Sequence, residues 1–161
     1  MVADIRDAVD RIRGALETID DAITFADLPP GLGRAAPTGI PDSLTAVLDI
    51  TNGPRCGSIV LFDGDSIDEN QFFAQDLEGG PERWICYGTC DYVPLFADRR
   101  SEEVYWSPEE DDTLHRLADD VPSFFRAYAI GPRYGELTPA DDDRWYEFLT
   151  SRGLVFQGGE E

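Results

Sequence analysis

The chain has 161 residues, of which 42% are hydrophobic and 11% aromatic, a composition that predicts one folded domain rather than a disordered chain. It carries 33 acidic side chains against 13 basic ones, and the formal net charge of -20 argues against binding to nucleic acid or to an anionic membrane. Such a field favours a cationic partner, although all the basic residues are arginine, a bias that a GC-rich or salt-adapted proteome would also produce.

The cysteine count and the hydropathy profile bear on the compartment. Three cysteines, an odd number, exclude a complete set of intramolecular disulfides. Charged side chains interrupt the N-terminal segment, and neither it nor any later segment has the continuous apolar run of a signal peptide or of a membrane span. We therefore expect a cytoplasmic protein whose thiols are reduced.

The N-terminal third predicts two helices. Aliphatic residues recur at spacings of three and four between residues 4 and 23, which predicts one amphipathic helix over that range. The proline- and glycine-rich segment 25–41 is typical of an irregular connection. A short helix follows, with Pro41 in its first turn and Asn52-Gly53 at its end.

The centre of the chain predicts strands. GSIVLFDGDS (57–66) is a β-branched run that ends in an acidic turn, and a short helix is expected after it, over 67–80. Three segments rich in Tyr, Val, Trp and Phe then predict an antiparallel meander: ERWICYG, DYVPLFADR and EVYWS. Pro94 has no N–H to donate, so it predicts an edge or a bulge in the middle strand.

Two helices are predicted after the strands. VPSFFRAYA (121–129) has aromatic residues at helical spacing, and the last helix is expected from TPADDDRWYEFLTSRG, with Thr138 as its cap. Its buried face would be formed by Trp145, Phe148 and Leu149. The order of elements predicts an α+β fold: a single domain with a central, mostly antiparallel sheet of about five to six strands flanked by helices.

A zinc site is the first chemistry to weigh. Cys56, Cys86, Cys90 and His115 would supply the four ligands of a tetrahedral zinc site. The spacing between Cys86 and Cys90 is within the range that is usual for a pair of zinc ligands. The first cysteine and the histidine stand alone on distant elements, without a second close ligand pair. Buried free cysteines that pack as small apolar residues are the better interpretation.

The acidic segment after the first apolar strand is a candidate for a calcium-binding loop. DGDSIDEN clusters acids, and Asp63 and Asp65 would stand at the first and third positions of an EF-hand loop. The fifth, sixth and twelfth positions are Ile67, Asp68 and Ala74, which do not fit the motif. We predict a solvated acidic turn and no metal site.

The sequence lacks the usual signatures of catalysis. It has no GxGxxG, P-loop, GxSxG or HExxH motif, and its one histidine lies among carboxylates whose field raises cysteine pKa values. Adjacent acid pairs are expected by chance among 33 acids. We therefore predict no catalytic residue, no cofactor and no enzymatic activity.

Aromatic residues in the strand region are most often core residues and cross-strand pairs, and the alternative is that one face, next to carboxylates, binds a partner protein. Tyr and Trp supply anchors at interfaces, and carboxylates suit a cationic partner. The predicted partner-binding residues are Asp63, Asp65, Asp68, Glu69, Asp91, Tyr92, Glu102, Glu103, Tyr105, Trp106, Glu109, Glu110, Asp111 and Asp112.

Four stretches also carry a resemblance to a known family. They are GIPDSLTAVLDITNG, GSIVLFD, YGTCDYVPLFADRRSEEVYWSPEEDD and LADDVPSFFRAY, in that order. The chain resembles the SUKH-domain superfamily, which includes yeast regulators of cell-wall synthesis and many bacterial immunity proteins. The likeness covers residues 1–130, and residues 131–161 are predicted to be a C-terminal helical extension packed on the same domain.

The resemblance implies a helix-flanked sheet that binds a protein ligand and needs no cofactor. Combined with the charge, it predicts an immunity-type protein that neutralises a cognate bacterial toxin domain, of which a basic nuclease is one candidate. The alternative is a regulatory or scaffold module of the same fold that binds proteins other than toxins.

Overall fold

The computed structural model describes residues 2–108, 113–139 and 141–157. Seven strands form one sheet in sequential order, and each neighbouring pair is antiparallel. This confirms the predicted α+β class, with seven strands rather than five to six. The strands are β1 (Ala26–Asp27), β2 (Arg55–Cys56), β3 (Ile59–Leu61), β4 (Trp84–Cys90), β5 (Val93–Asp98), β6 (Val104–Trp106) and β7 (His115–Ala118).

Three of these strands had no sequence signal. β1 and β2 have two residues each, too few for any periodic pattern. β7 begins with exposed His115 and Arg116, so it lacks the apolar character of a buried strand. All three owe their strand geometry to pairing with a neighbour.

The described part of the chain contains five α-helices. They are α1 (Val2–Leu16), α2 (Asp42–Leu48), α3 (Gly80–Arg83), α4 (Val121–Phe124) and α5 (Arg144–Ser151). α4 continues into a π-helical turn over Phe125–Ala129, and the predicted short helix after β3 is a 3-10 segment over Ile67–Ala74. None of the helices in the described part of the chain is long and apolar enough to cross a membrane.

The first helix is shorter than predicted. It ends at Leu16 instead of continuing to residue 23, and Ile23 is 60% exposed. The Thr18 hydroxyl donates to the Ala15 carbonyl at 2.7 Å, and the Thr18 and Ile19 amides bond three residues back instead of four. A side chain that competes for a carbonyl near the end of a helix favours this tighter turn.

The predicted three-strand meander is confirmed, but Pro94 does not lie on an edge strand. β5 lies between β4 and β6, and Pro94 is in register with Thr89. The pairing of β5 with β6 begins one residue later, at Leu95 opposite Trp106. The missing N–H of proline therefore falls outside the β5–β6 ladder, where it removes no hydrogen bond.

The irregularity of the meander lies in β4 instead. The register shifts between Cys86 and Gly88, and an extra residue in one strand exchanges the faces to which later side chains point. Cys86 accordingly packs in a small cluster with Trp84 and Phe96, whereas Cys90 belongs to the main core. The two cysteines lie on opposite faces of the sheet and do not form a ligand pair.

The main core lies between one face of the sheet and the helices. Trp145, Phe148 and Leu149 of α5 join it, as predicted, together with Ile5 and Val9 of α1. The cap of α5 differs from the prediction: Asp143 accepts the amide of Tyr146 at 3.0 Å, and Thr138 lies outside the helix.

Candidate functional site

The predicted acids that flank the β4–β5 hairpin lie at its two opposite ends. Asp91 and Tyr92 form the turn between β4 and β5, where Cys90 pairs with Val93. Glu102 and Glu103 follow β5, at the opposite end of the same hairpin. Six residue steps along a strand separate the two ends by about 20 Å. The residues at the two ends therefore cannot both lie at the centre of a single interface with a partner.

Several of the acids at the second end are engaged inside the protein. Glu102 accepts the Ser43 amide at 2.9 Å, which satisfies a donor in the first turn of α2. Asp63 accepts the amides of Asp65 and Ser66 at 2.9 and 2.8 Å and so shapes its own turn. These three interactions stabilise the fold.

The remaining acids of the loop after β3 have different environments. Asp65 forms an ion pair with Arg34, and Asp68 and Glu69 are exposed on the 3-10 segment. The aromatic residues of this segment, Phe72 and Phe73, stack on each other with ring centroids 4.3 Å apart, and neither is among the predicted partner-binding residues.

On β6, the predicted aromatic residues are partly buried. Tyr105 stands edge-on to Trp84, with ring centroids 5.3 Å apart, and donates to Glu103 at 3.1 Å. Glu103 also pairs with Arg116 on β7 at 3.3 Å. Trp106 packs against the main core. Glu109, Glu110, Asp111 and Asp112 lie outside the described residues.

The β4–β5 turn is the more unusual of the two ends. Asp91 and Tyr92 have φ angles of 51° and 71°, so both occupy the left-handed region, as in a two-residue turn of type I′. Such turns favour Asn or Asp followed by Gly, because a residue with a Cβ atom is strained there by roughly 1–2 kcal/mol. Tyr92 takes the glycine position, and its side chain is 93% exposed.

Contacts from two other parts of the chain hold this turn. The Asp91 amide donates to the Ser58 carbonyl at 3.0 Å, and the Asp91 carboxylate accepts a hydrogen bond from the Thr138 hydroxyl. Thr138 is 5% exposed. The turn is thus fixed from the β2–β3 connection and from the segment before α5.

A second chain of contacts ties Asp143 to the same place. The Tyr134 hydroxyl accepts the Ser58 amide at 2.9 Å and donates to Asp143 at 2.8 Å. Asp143 in turn caps α5. We call the set Ser58, Asp91, Tyr92, Thr138 and Asp143 the hairpin tip.

Sequence reasoning did not predict three of the five residues of the hairpin tip, one of which is Ser58. Asp91 and Tyr92 were predicted, whereas Thr138 and Asp143 were assigned only to the start of the last helix. Forty-seven residues separate Asp91 from Thr138, and no local pattern encodes a contact over that distance. The one available signal was chemical: an Asp-Tyr pair between two apolar strands, where Asp-Gly is the usual turn.

The cysteine nearest the tip is not poised as a nucleophile. Cys90 is buried, and desolvation, together with the negative charges of Asp91 and Asp143, raises its pKa to about 12. A thiol in this state is scarcely ionised near neutral pH. What the tip presents to solvent is an aromatic ring and carboxylate oxygens, which suit binding.

Metal ligands do not gather in the described part of the chain. Over those residues, no group of three or more His, Cys, Asp or Glu side chains is placed to hold a metal ion. Cys56, Cys86 and Cys90 are all buried and free.

Comparisons of the chain with protein-family models, with curated proteins and with solved structures found no match.

Proposed function

We propose that the protein is an immunity-type inhibitor that binds and neutralises a cognate bacterial toxin domain, with Tyr92 as the central anchor. The observation that carries the proposal is the exposure of Tyr92 in a strained turn that other segments hold in place. Aromatic side chains of this kind dominate binding energy at protein interfaces.

The conformation of the turn supports a binding role for Tyr92. A left-handed tyrosine lowers the stability of the fold, whereas glycine at the same position would relieve the strain. Strain of this sort concentrates where a side chain has a function that the alternative residue lacks. Because Asp91 is held through Ser58 and Thr138, the backbone of the turn that carries Tyr92 has little freedom to lose on binding.

The charge supports a cationic partner. The chain carries a net charge of -20, and Asp91 at the tip is bonded to Thr138, in the segment before α5 that also carries the exposed Asp141 and Asp142. A field of this sign accelerates association with a basic protein, such as a nuclease, and the acceleration weakens as salt rises. An acidic protein that covers the nucleic-acid-binding surface of such an enzyme would inhibit it.

Co-expression tests the proposal directly. A toxin domain encoded beside the gene for this protein is expressed under tight control, with and without the protein. We expect the protein to restore growth and to elute with the toxin as a one-to-one complex. Failure to restore growth, with both proteins folded and soluble, would overturn the proposal. Capture of several partners that lack toxicity would favour the regulatory or scaffold alternative.

A further inference from the structure

A cleft that is rich in arginine lies at the end of the β4–β5 hairpin opposite Tyr92. Its volume is about 720 Å³, a size typical of sites for small molecules. The lining residues include Glu82, Arg83, Asp98, Arg99, Arg100 and Ser101. Three of the 13 arginines of a strongly acidic protein therefore meet in one concavity.

Elsewhere in the described chain, arginines commonly pair with carboxylates. Arg133 pairs with Glu136 at 2.9 Å and Arg144 with Asp21 at 3.0 Å. In the cleft, Arg99 donates instead to two neutral carbonyls, those of Pro81 at 2.8 Å and Gly39 at 2.7 Å. Among the described residues, no carboxylate forms a hydrogen bond or an ion pair with the Arg99 guanidinium.

Arg99 is also partly removed from solvent, which disfavours its charged form. Burial lowers the pKa of its guanidinium group, and the charge of Asp68 opposes that shift without a direct contact. A partly buried cation without a paired anion is costly, and an anion bound beside it would offset the cost.

Arg100 and Arg83 complete the donor set. Within the described residues, the Arg100 guanidinium has neither a hydrogen-bond nor an ion-pair partner, and its side chain is exposed. Arg83 is oriented by Asp98, at 3.2 Å from its Nε, and by the Trp84 ring, whose centroid lies 4.6 Å from the guanidinium carbon. The other two nitrogens of Arg83 are left for a ligand.

Among the described residues, the carboxylate that contacts these arginines is Asp98, and it already accepts three hydrogen bonds. Asp98 accepts from Arg83 and also from the amides of Arg100 and Ser101, at 2.8 and 3.2 Å. It holds the turn that carries Arg99 and Arg100 into the cleft. Asp98 therefore acts as a positioning residue and leaves the donors of Arg99 and Arg100 unneutralised.

We propose that this arginine cleft, formed by Arg83, Arg99 and Arg100, binds the carboxylate or phosphate group of a small anionic molecule. Guanidinium groups present paired donors that match both oxyanions. The site would operate independently of the hairpin tip, which lies about 20 Å away along the strands.

Amide NMR tests the proposal. The ¹⁵N-labelled protein is titrated with sodium phosphate and, separately, with sodium succinate, while sodium chloride keeps the ionic strength constant. We expect saturable shifts in the amides of Arg100 and Ser101 and in the Nε–H signals of Arg83 and Arg99. Saturation by phosphate, by succinate or by both supports the site and identifies the group that it prefers.

Two variants supply the control. Arg100→Gln removes a donor that holds no other part of the fold, and we expect it to weaken binding about fivefold or more. Arg11→Gln removes the same charge from the exposed face of α1 and is expected to leave binding unchanged. Shifts that fail to saturate, or that respond equally to the two substitutions, would show a general salt effect and overturn the proposal. The spectra themselves report whether each variant is folded.

Discussion

The Thr138 hydroxyl donates a hydrogen bond to the Asp91 carboxylate, across 47 residues of sequence. This contact joins the β4–β5 turn to the segment before α5. Thr138→Val keeps the shape of the side chain and removes the donor. We expect the free energy of unfolding to fall by about 1 kcal/mol, because the freed carboxylate is exposed and water replaces the hydroxyl.

Urea denaturation measures this change. Thr150→Val is the matched control: Thr150 is exposed, and its hydroxyl donates to the Glu147 carbonyl, one turn earlier in its own helix. We expect that variant to differ from the wild type by less than about 0.5 kcal/mol. Equal effects of the two substitutions would contradict a role for Thr138 in holding the tip.

Tyr134 and Tyr87 offer a second comparison, because both side chains are buried but only one hydroxyl is satisfied. The Tyr134 hydroxyl bonds to Ser58 and Asp143, whereas the Tyr87 hydroxyl has no hydrogen-bond partner among the described residues. Tyr134→Phe leaves the Ser58 amide without its acceptor and is expected to cost about 1–3 kcal/mol. Tyr87→Phe removes an unsatisfied group and is expected to be neutral or to stabilise the fold by about 1 kcal/mol.

The same chemical change, one oxygen atom, is thus expected to have opposite signs at two positions. Equilibrium denaturation of both variants in parallel gives the change in the free energy of unfolding at each position. A loss of stability in Tyr87→Phe as large as that in Tyr134→Phe would show that the Tyr87 hydroxyl has a partner, such as a buried water molecule.

The contrast between these tyrosines also shows what the sequence could and could not predict. The pattern of apolar and aromatic residues predicted the three-strand meander and the buried face of α5, because in both cases the pattern reflects which side chains are buried. The same patterns said nothing about Tyr134, whose two bonds reach residues 76 and 9 positions away. Contacts made through tertiary structure leave no periodic trace.

The bulge in β4 had a similar consequence for the cysteines. From spacing alone, Cys86 and Cys90 would point to the same face of a strand, four residues apart. The register shift near Gly88 separates them. Gly88 makes that close packing feasible, since a Cβ atom there would lie 2.3 Å from the Val60 carbonyl oxygen. The predicted acids are divided between two places because successive turns of an antiparallel meander lie at opposite ends of the sheet.

Cysteine reactivity is the third prediction. Desolvation raises the pKa of Cys86 and of Cys90 to about 12, and it raises that of Cys56 further. At pH 8 we expect the native protein to react slowly with Ellman's reagent, and three thiols to react at once after denaturation. One thiol that reacts rapidly in the native protein would contradict the buried placement.

The same shifts predict a loss of stability in alkali. A thiol whose folded-state pKa is raised contributes stability that is complete below the unfolded pKa, near 9, and is lost as pH rises toward 12. The denaturation midpoint should therefore fall over this window. Replacement of Cys86 by alanine should flatten that fall, despite a lower stability at neutral pH.

Tyr92→Gly separates stability from binding. Glycine adopts φ values near 71° without strain, so we expect the free energy of unfolding to stay the same or to rise by up to about 1 kcal/mol. Loss of the aromatic anchor should nevertheless weaken binding to the cognate toxin about 30-fold or more, which corresponds to roughly 2 kcal/mol. Calorimetric titration and denaturation of the same preparation give both values.

Phe72→Ala is the matched control for this prediction, because Phe72 is the other strongly exposed aromatic residue of the described chain, at 56%. Its ring stacks on Phe73 in the 3-10 segment, with centroids 4.3 Å apart. We expect its removal to change toxin affinity less than about threefold. If Phe72→Ala weakens binding and Tyr92→Gly does not, the toxin contacts the 3-10 segment, and the hairpin tip is not the anchor. Binding measured at two salt concentrations separates the contribution of the Tyr92 side chain from that of the net negative charge. Raised salt should slow association equally in the wild type and in both variants, because screening acts on the charge alone.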